Sequence, residues 1–481
     1  MNTLRHAFLI SAAHKSSGKT TVSIGLCAAL RARGNQVQPF KKGPDYIDPM
    51  WLGQAAGRSC RNLDLYLTSV DDVRAAWRTQ TTDAEVALLE GNKGLYDGMA
   101  LDGSDSNAAL AKNLDLPVIL VIDCRGMTRG VAPLVLGYQA FDTQVRIAGI
   151  ILNRVGGKRH EGKLRDILGA YTQVPVVGAI PETPELAILE RHLGLMPSNE
   201  ATDAEDRIDA LKKIIERHVD VEKLLALTQS AAPSPAKVTS ITSRPSKAKR
   251  IHEPLRIGIA RDRAFGFYYP DDLEALEAAG GELIPIDTLR DTALPPIDAL
   301  FIGGGFPETL AATLEANTAM RHALRLAIEG GLPTYAECGG LMYLSNSITW
   351  QGRRHEMVGV IPAETIMHPK PIGRGYVEVE STEAHPWWPQ GTRLRAHEFH
   401  YSKLENLPSG QTFGWRMLRG TGIADHQDGI RFHNLFASYT HLRSIPVQSS
   451  SGESNWAKGF VEFARTVATR PALKQVSAPI K

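Results

Sequence analysis

Two successive α/β domains joined by a solvated tether are predicted by three observations. Short apolar runs rich in Val, Ile and Leu alternate with stretches of helical periodicity. That alternation is interrupted once, by a segment poor in apolar residues. A chain of 481 residues, 43% hydrophobic and 22% charged, is long enough to bury two cores. In order, residues 7–10 form the first run, and residues 22–30 follow at helical spacing. Residues 37–40 and 85–90 supply two further short strands, and 118–122, 147–152 and 174–178 three more. All are apolar enough for a parallel sheet covered on both faces. Residues 228–250, rich in Ser, Pro, Ala and Lys without sustained periodicity, form the tether. Residues 255–259 and 299–302 open the second α/β unit, and 331–335 is another strand-like run. No internal repeat is present.

Between the first strand and first helix lies Ala13-His14-Lys15-Ser16-Ser17-Gly18-Lys19-Thr20-Thr21, the strand, loop and helix context of a P-loop. Ala13 replaces the motif's first glycine, while Gly18-Lys19-Thr20 is retained. Backbone N–H groups of such a loop cradle phosphate oxygens, Lys19 reaches the β- and γ-phosphates, and the Thr20 hydroxyl can ligate Mg²⁺. ATP and Mg²⁺ are therefore the expected cofactors, with Ser16, Ser17, Gly18, Lys19, Thr20 and Thr21 as nucleotide ligands.

Magnesium on phosphates takes one or two protein carboxylates. Glu90 ends a short apolar strand before Gly91, and Asp45 lies on the punctuated loop Lys41-Lys42-Gly43-Pro44-Asp45-Tyr46-Ile47-Asp48-Pro49. These two, with Thr20, are the expected metal ligands. Asp48, and Asp97 in Gly94-Leu95-Tyr96-Asp97-Gly98, are candidates for orienting substrate or incoming ammonia. Each alone reads as a turn-capping aspartate, but four acids on loops after successive strands favour a site. His14-Lys15 and Asn92-Lys93 place polar and basic groups on the loops nearest the phosphates.

In the second unit, Ala336-Glu337-Cys338-Gly339-Gly340 sets a cysteine among small residues just after a strand-like run. A thiol on a tight strand-to-helix turn can attack an amide and release ammonia, and the following helix N-terminus favours the thiolate. Gly304 and Gly305, in a glycine-rich turn after a strand, let backbone N–H groups approach a tetrahedral oxyanion. His397-Glu398-Phe399-His400 contains good metal ligands but lacks the i, i+4 histidines of a helical zinc site, so it is expected to shape the domain or its contact with the first half.

A formal charge of +2 gives no reason to expect nucleic acid or an anionic membrane. No stretch is long and apolar enough to span a bilayer, and the first residues do not lead into a signal peptide. Cys27, Cys60, Cys124 and Cys338 show no disulfide or zinc spacing, which fits a reducing cytoplasm.

The chain resembles the cobyrinate a,c-diamide synthase family. The likeness rests on Ser17-Gly18-Lys19-Thr20-Thr21, the Lys42-to-Pro49 loop, Glu90-Gly91 with Gly94-to-Gly98, and Val121-Ile122-Asp123-Cys124-Arg125-Gly126-Met127. In the second half it rests on Gly303-Gly304-Gly305-Phe306-Pro307-Glu308, the Cys338 motif, His397-to-Ser402 and Ser438-Tyr439-Thr440-His441. The resemblance implies a dethiobiotin synthetase-like P-loop domain over 1–227, an amide synthetase. A linker over 228–253, a class I glutamine amidotransferase domain of flavodoxin-like α/β fold over 254–446, and a C-terminal tail or helix over 447–481 complete the layout. It implies ATP- and glutamine-dependent amidation of the a- and c-acetates of a tetrapyrrole dicarboxylate, cobyrinate or hydrogenobyrinate, through an acyl phosphate. Asn153 then falls on the adenine side of the nucleotide, and a homodimer is a possible assembly. His441 becomes the base for Cys338. The usual triad adds a glutamate two residues past the histidine, where this chain has Arg443, so a dyad is expected. His14-Lys15 and Asn92-Lys93 differ from the small or apolar residues expected in corrin enzymes and point towards sirohydrochlorin or sirohaem as an alternative acceptor. A P-loop partitioning or regulatory ATPase is the alternative of another class, although its second lysine before a glycine pair is missing here.

Overall fold

A computed structural model describes residues 4–183, 190–191, 194–201, 203–230, 253–445, 447–449 and 452–469. The chain divides into two compact units, Met1–Thr239 and Ser240–Lys481.

The first unit is built on a seven-stranded sheet. Its strands are β1 (His6–Ala12), β2 (Val37–Lys42), β3 (Arg61–Leu63), β4 (Val86–Glu90), β5 (Val118–Asp123), β6 (Ile147–Val155) and β7 (Val176–Pro181). The order is β3-β2-β4-β1-β5-β6-β7, with every pairing parallel. Side chains alternate across a strand, so Phe8 and Ile10 join one core with Ile24, Leu211 and Ile215, while Ala7 and Leu9 join the other with Trp77 and Leu164. Burial on both faces explains the continuous apolar runs. The helix α1 (Lys19–Ala32) starts directly after the loop that leaves β1, in the middle of the sheet.

The expected tether begins too early at residue 228. Thr228 is buried, its carbonyl accepts from Ala7 N at 3.0 Å, Ser230 N donates to Arg5 O at 2.8 Å, and Gln229 bridges His6 in antiparallel fashion. β5 pairs with β1 only from Leu9 onward, so residues 228–230 satisfy backbone groups at the start of β1. The remainder of the expected tether, 231–250, lies outside the described residues.

The second unit has a ten-stranded sheet of two characters. Gly281–Ile286, Leu255–Ala260, Ala299–Ile302, Thr334–Glu337 and Leu435–Ser438 lie side by side in that order and run parallel. Gln427–Phe432, Phe413–Arg419, Gly373–Ser381, Arg393–His400 and Thr440–His441 continue the sheet in antiparallel pairings. The segment after 446, expected as a tail or helix, contains a helix. Helix Trp456–Ala468 buries Trp456, Phe460, Val461 and Ala464, at helical spacing, in the core that holds Phe301 and Tyr335. Among the described residues no helix is long and apolar enough to cross a membrane.

Candidate active sites

The P-loop site forms where β1, β2 and β4 end. Gly18 has φ +87°, and a Cβ there would lie 2.2 Å from Asn153 Nδ2, so both conformation and space require glycine. Asn153, at the end of β6, donates to Ser17 O at 2.9 Å, and Arg154 donates to Ser16 O at 2.7 Å while pairing with Asp123. Asn153 therefore clamps the loop with its amide nitrogen, and its buried Oδ1 has no hydrogen-bond partner. Thr21 Oγ1 donates to Gly18 O at 2.9 Å. Lys19 Nζ donates to Lys93 O at 2.5 Å, and burial together with the nearby Lys41 charge lowers its pKa to about 8.

The acids are distributed differently from the sequence expectation. Thr20 Oγ1 lies 2.6 Å from Glu90 Oε1 and 3.2 Å from Asp48 Oδ2, so Asp48, rather than Asp45, shares the hydroxyl with Glu90. Asp45 Oδ1 accepts from Ile47 N and Asp48 N, capping the start of helix Ile47–Ala56. Burial, reinforced by Asp48, raises Asp45 to about 7. Asp97 Oδ2 accepts from Gly94 N at 2.9 Å and holds its own turn.

Sequence reading missed the residue that gathers these acids. Lys41 stands opposite Glu90 in the β2/β4 register, and its Nζ is 2.5 Å from Asp48, 3.0 Å from Glu90 and 3.9 Å from Asp45. Although burial opposes its charge, these carboxylates raise its pKa. Burial in turn raises Glu90, against the pull of Lys41. Asn107 was missed too: it bonds Asn92 O, Gly94 O and Asn92 N and so fixes the loop after β4. Asn92 Oδ1 accepts from Lys42 Nζ at 3.1 Å, so this side chain serves the architecture of the site.

These residues suit a magnesium ion held mainly by phosphates. Glu90 Oε2 is buried without a hydrogen-bond partner, and Thr20 Oγ1 and two carboxylates converge beside it.

In the second unit, Cys338 follows strand Thr334–Glu337 with φ +48° and ψ −100°, at the N-cap of helix Gly339–Leu344. A non-glycine residue in that region stores strain, here held by Cys338 N donating to Ser438 O at 2.8 Å. The glycines after it allow close approach: a Cβ on Gly339 would lie 2.9 Å from Gly305 N, and one on Gly340 2.3 Å from Ile302 O. The Gly304-Gly305 turn thus sits against the residue following the thiol, and a Cβ on Gly304 would lie 2.9 Å from His441 Cε1.

Cys338 and His441 are hydrogen-bonded to each other, and both are buried. Burial alone would push His441 down, but hydrogen bonds to Cys338 and Glu337 outweigh it and hold the imidazole at about 10. Glu337 Oε2 lies 3.3 Å from His441 Nδ1, a contact the sequence reading did not anticipate. Arg443, where the usual triad acid would fall, instead pairs with Asp271 at 3.0 Å and covers the Tyr269 ring at 4.7 Å.

The His397-to-His400 motif borders the same site. His397 is in register with His441, the two rings stacking at 4.9 Å, and Phe399 O lies 3.8 Å from Cys338 Sγ. His400 stacks on Tyr439 at 3.7 Å, and Glu398 accepts from Thr421 N and Gly422 N. All four cysteines are free thiols.

A P-loop nucleotide-binding unit and a cysteine-histidine glutamine amidotransferase unit in one chain define the class of protein. Residues 9–195 match the family model described as the CobQ/CobB/MinD/ParA nucleotide binding domain, and residues 256–445 that of the CobB/CobQ-like glutamine amidotransferase domain. Among curated relatives, the cobyrinate a,c-diamide synthase of Magnetococcus marinus is 47% identical over 457 residues, covering 95% of this chain and 96% of its own. Those of Methanosarcina acetivorans and Listeria innocua are 41% and 38% identical, covering 95% and 90% of this chain and 96% and 95% of their own. The chain belongs to the cobyrinate a,c-diamide synthase family.

Proposed function

We propose that this chain is an ATP- and glutamine-dependent ligase that converts the a- and c-acetates of cobyrinate, or of hydrogenobyrinate, to carboxamides. The observation that carries this reading is the buried Cys338–His441 pair on a strained turn, in the same chain as a P-loop backed by Thr20 and Glu90. The names of relatives up to 47% identical do not favour sirohydrochlorin, sirohaem or a partitioning ATPase. Of the Asn92-Lys93 pair that points to sirohydrochlorin, the Asn92 side chain is engaged by Lys42, while Lys93 meets Lys19 through its backbone carbonyl.

Ammonium is a poor nucleophile at neutral pH and a carboxylate a poor electrophile, so each is altered before they meet. The Cys338 thiolate adds to the side-chain amide carbon of glutamine, the C–N bond breaks as His441 gives its proton to the departing nitrogen, and water hydrolyses the thioester to glutamate. Backbone N–H groups around Gly304, Gly305 and Gly339 would receive the oxyanion, a role supported by the packing of Gly305 against Gly339. In the first unit the substrate acetate would take the γ-phosphoryl group of ATP, ADP leaving as the bridging P–O bond breaks, and ammonia then displaces phosphate from the acyl phosphate. Lys19 offsets charge on the transferring phosphoryl group, and Asn153 Oδ1 is available to an amine of the adenine. Thr20, Glu90 and Asp48 would hold Mg²⁺, with Asp45 lining the site; the ion supplies charge neutralisation at the phosphates. Asp97 is positioned on a neighbouring exposed loop to orient the acceptor or ammonia. Domain limits near 230 and 253, a cytoplasmic setting and a homodimer belong to the same reading.

Purified protein incubated with glutamine, ATP, Mg²⁺ and each candidate macrocycle tests it by mass spectrometry. Two added carboxamides on cobyrinate or hydrogenobyrinate are expected. Amidation of sirohydrochlorin alone, or ATP hydrolysis without any carboxamide, would overturn it.

A further inference from the structure

The strand before the nucleophile ends in an acid. Successive strand residues face opposite ways, so Glu337 and Cys338 in regular extended geometry would diverge. The positive φ of Cys338 breaks that alternation, and both side chains reach the same imidazole. Glu337 is itself held in place. Its Oε1 accepts from Tyr335 OH at 2.5 Å and from Leu442 N at 2.9 Å, which turns Oε2 towards His441 Nδ1. It is 3% exposed, and a buried carboxylate needs such donors.

We propose that Glu337 is the third member of the glutaminase relay, a positioning residue that fixes the His441 ring and stabilises its protonated form, replacing the acid that Arg443 cannot supply. This rests on the Cys338–His441 reading above. The thiol proton passes to His441 on the ring nitrogen facing Cys338. Glu337 accepts the Nδ1–H bond throughout. The same proton then leaves with the ammonia released as the C–N bond breaks, so Glu337 ends each cycle unchanged. Other charged or titratable groups around His441 are His397, stacked on its ring, Arg443 two residues on, and the Asp271 and Asp272 carboxylates, of which Asp272 accepts from Ser444 N at 2.6 Å.

The full-length Glu337→Gln variant, with ATP, Mg²⁺ and cobyrinate, tests this with glutamine or ammonium as nitrogen source, alongside an NMR titration of His441. Exchanging an orienting carboxylate for its amide lowers kcat by up to about 10⁴ in a histidine relay, and a fall of about 10² or more with glutamine is expected here. The glutamine KM should change little, ammonium should rescue amidation, and the His441 midpoint should drop from about 10. A merely structural role would reduce folded protein without moving that midpoint. Glu337→Asp, which keeps the charge, is the second variant if the amide fails to fold, with an intermediate loss expected. An unmoved midpoint with glutamine kcat within about threefold of the parent, in whichever variant folds, would overturn the proposal. Retention of glutamine use by Cys338→Ala would instead overturn the underlying reading.

Discussion

In the first unit a buried cation gathers acids, Lys41 among Asp45, Asp48 and Glu90, whereas in the second a buried acid, Glu337, holds a cation, the protonated His441. The openness of the two sites differs as well. His14, Lys15, Ser16, Lys93 and Asp97 are exposed on loops around the P-loop, while Cys338, His441 and Glu337 are all buried. A nucleotide brings its own charge and needs an open cradle, but a thiolate must be generated by the protein itself. Low dielectric strengthens that internal ion pair and makes any uncompensated partner expensive.

The largest effect that would break this contrast is expected from Cys338→Ala. Glutamine-dependent amidation should vanish while ammonium-dependent amidation persists, measured as carboxamide formed; loss of both would mean the chemistries are not divided between the units. Lys19→Ala should lower amidation by about 10²–10³ with either nitrogen source, because charge stabilisation at the phosphoryl group is lost in both. Lys41→Met leaves buried carboxylates without their cation and should destabilise the first unit by roughly 3–5 kcal/mol, seen as a lowered unfolding midpoint that MgATP partly restores. Gly304→Ala drives a methyl group towards His441 Cε1 and should cost about 1–3 kcal/mol of fit, with glutamine kcat falling and ammonium-driven turnover held.

The smallest effect concerns acid stability of the second unit. His385 is buried, its Nδ1 accepting from Trp387 N and Trp388 N, and burial holds its pKa well below the usual imidazole value. The unfolded chain takes up that proton below about pH 6.5 and the folded chain does not, so this contribution is full above pH 6.5 and erodes as pH falls. His441 has the opposite sign: its raised value adds stability below about pH 6.5 that is lost as pH rises through about 10. His385→Asn keeps an acceptor but removes the titration, and urea midpoints between pH 8 and 5 should fall less steeply than in the parent.

Both the cysteine turn and the phosphate loop were legible because each is a local pattern. Gly18-Lys19-Thr20 and Cys338-Gly339-Gly340 lie at strand-to-helix turns whose strands have the expected apolar character. The docking of residues 228–230 was misjudged, since a polar edge segment reveals its worth only against an unpaired strand; the helix over Trp456–Ala468, expected as a tail or helix, likewise shows what its apolar face covers only against a core. Asp48 stands at the Thr20 hydroxyl and Asp45 at the helix start because a loop's sequence does not say which carboxylate accepts from the helix N–H groups and which faces the P-loop.

By itself the sequence determined the two α/β units, the P-loop, the cysteine at a strand-to-helix turn and the family, since these depend on residue type, spacing and apolar periodicity along the chain. Only the tertiary structure decided that Lys41 lies among the acids and Glu337 against His441, because strand register and one positive φ angle, not sequence distance, set which charges meet inside a low-dielectric core.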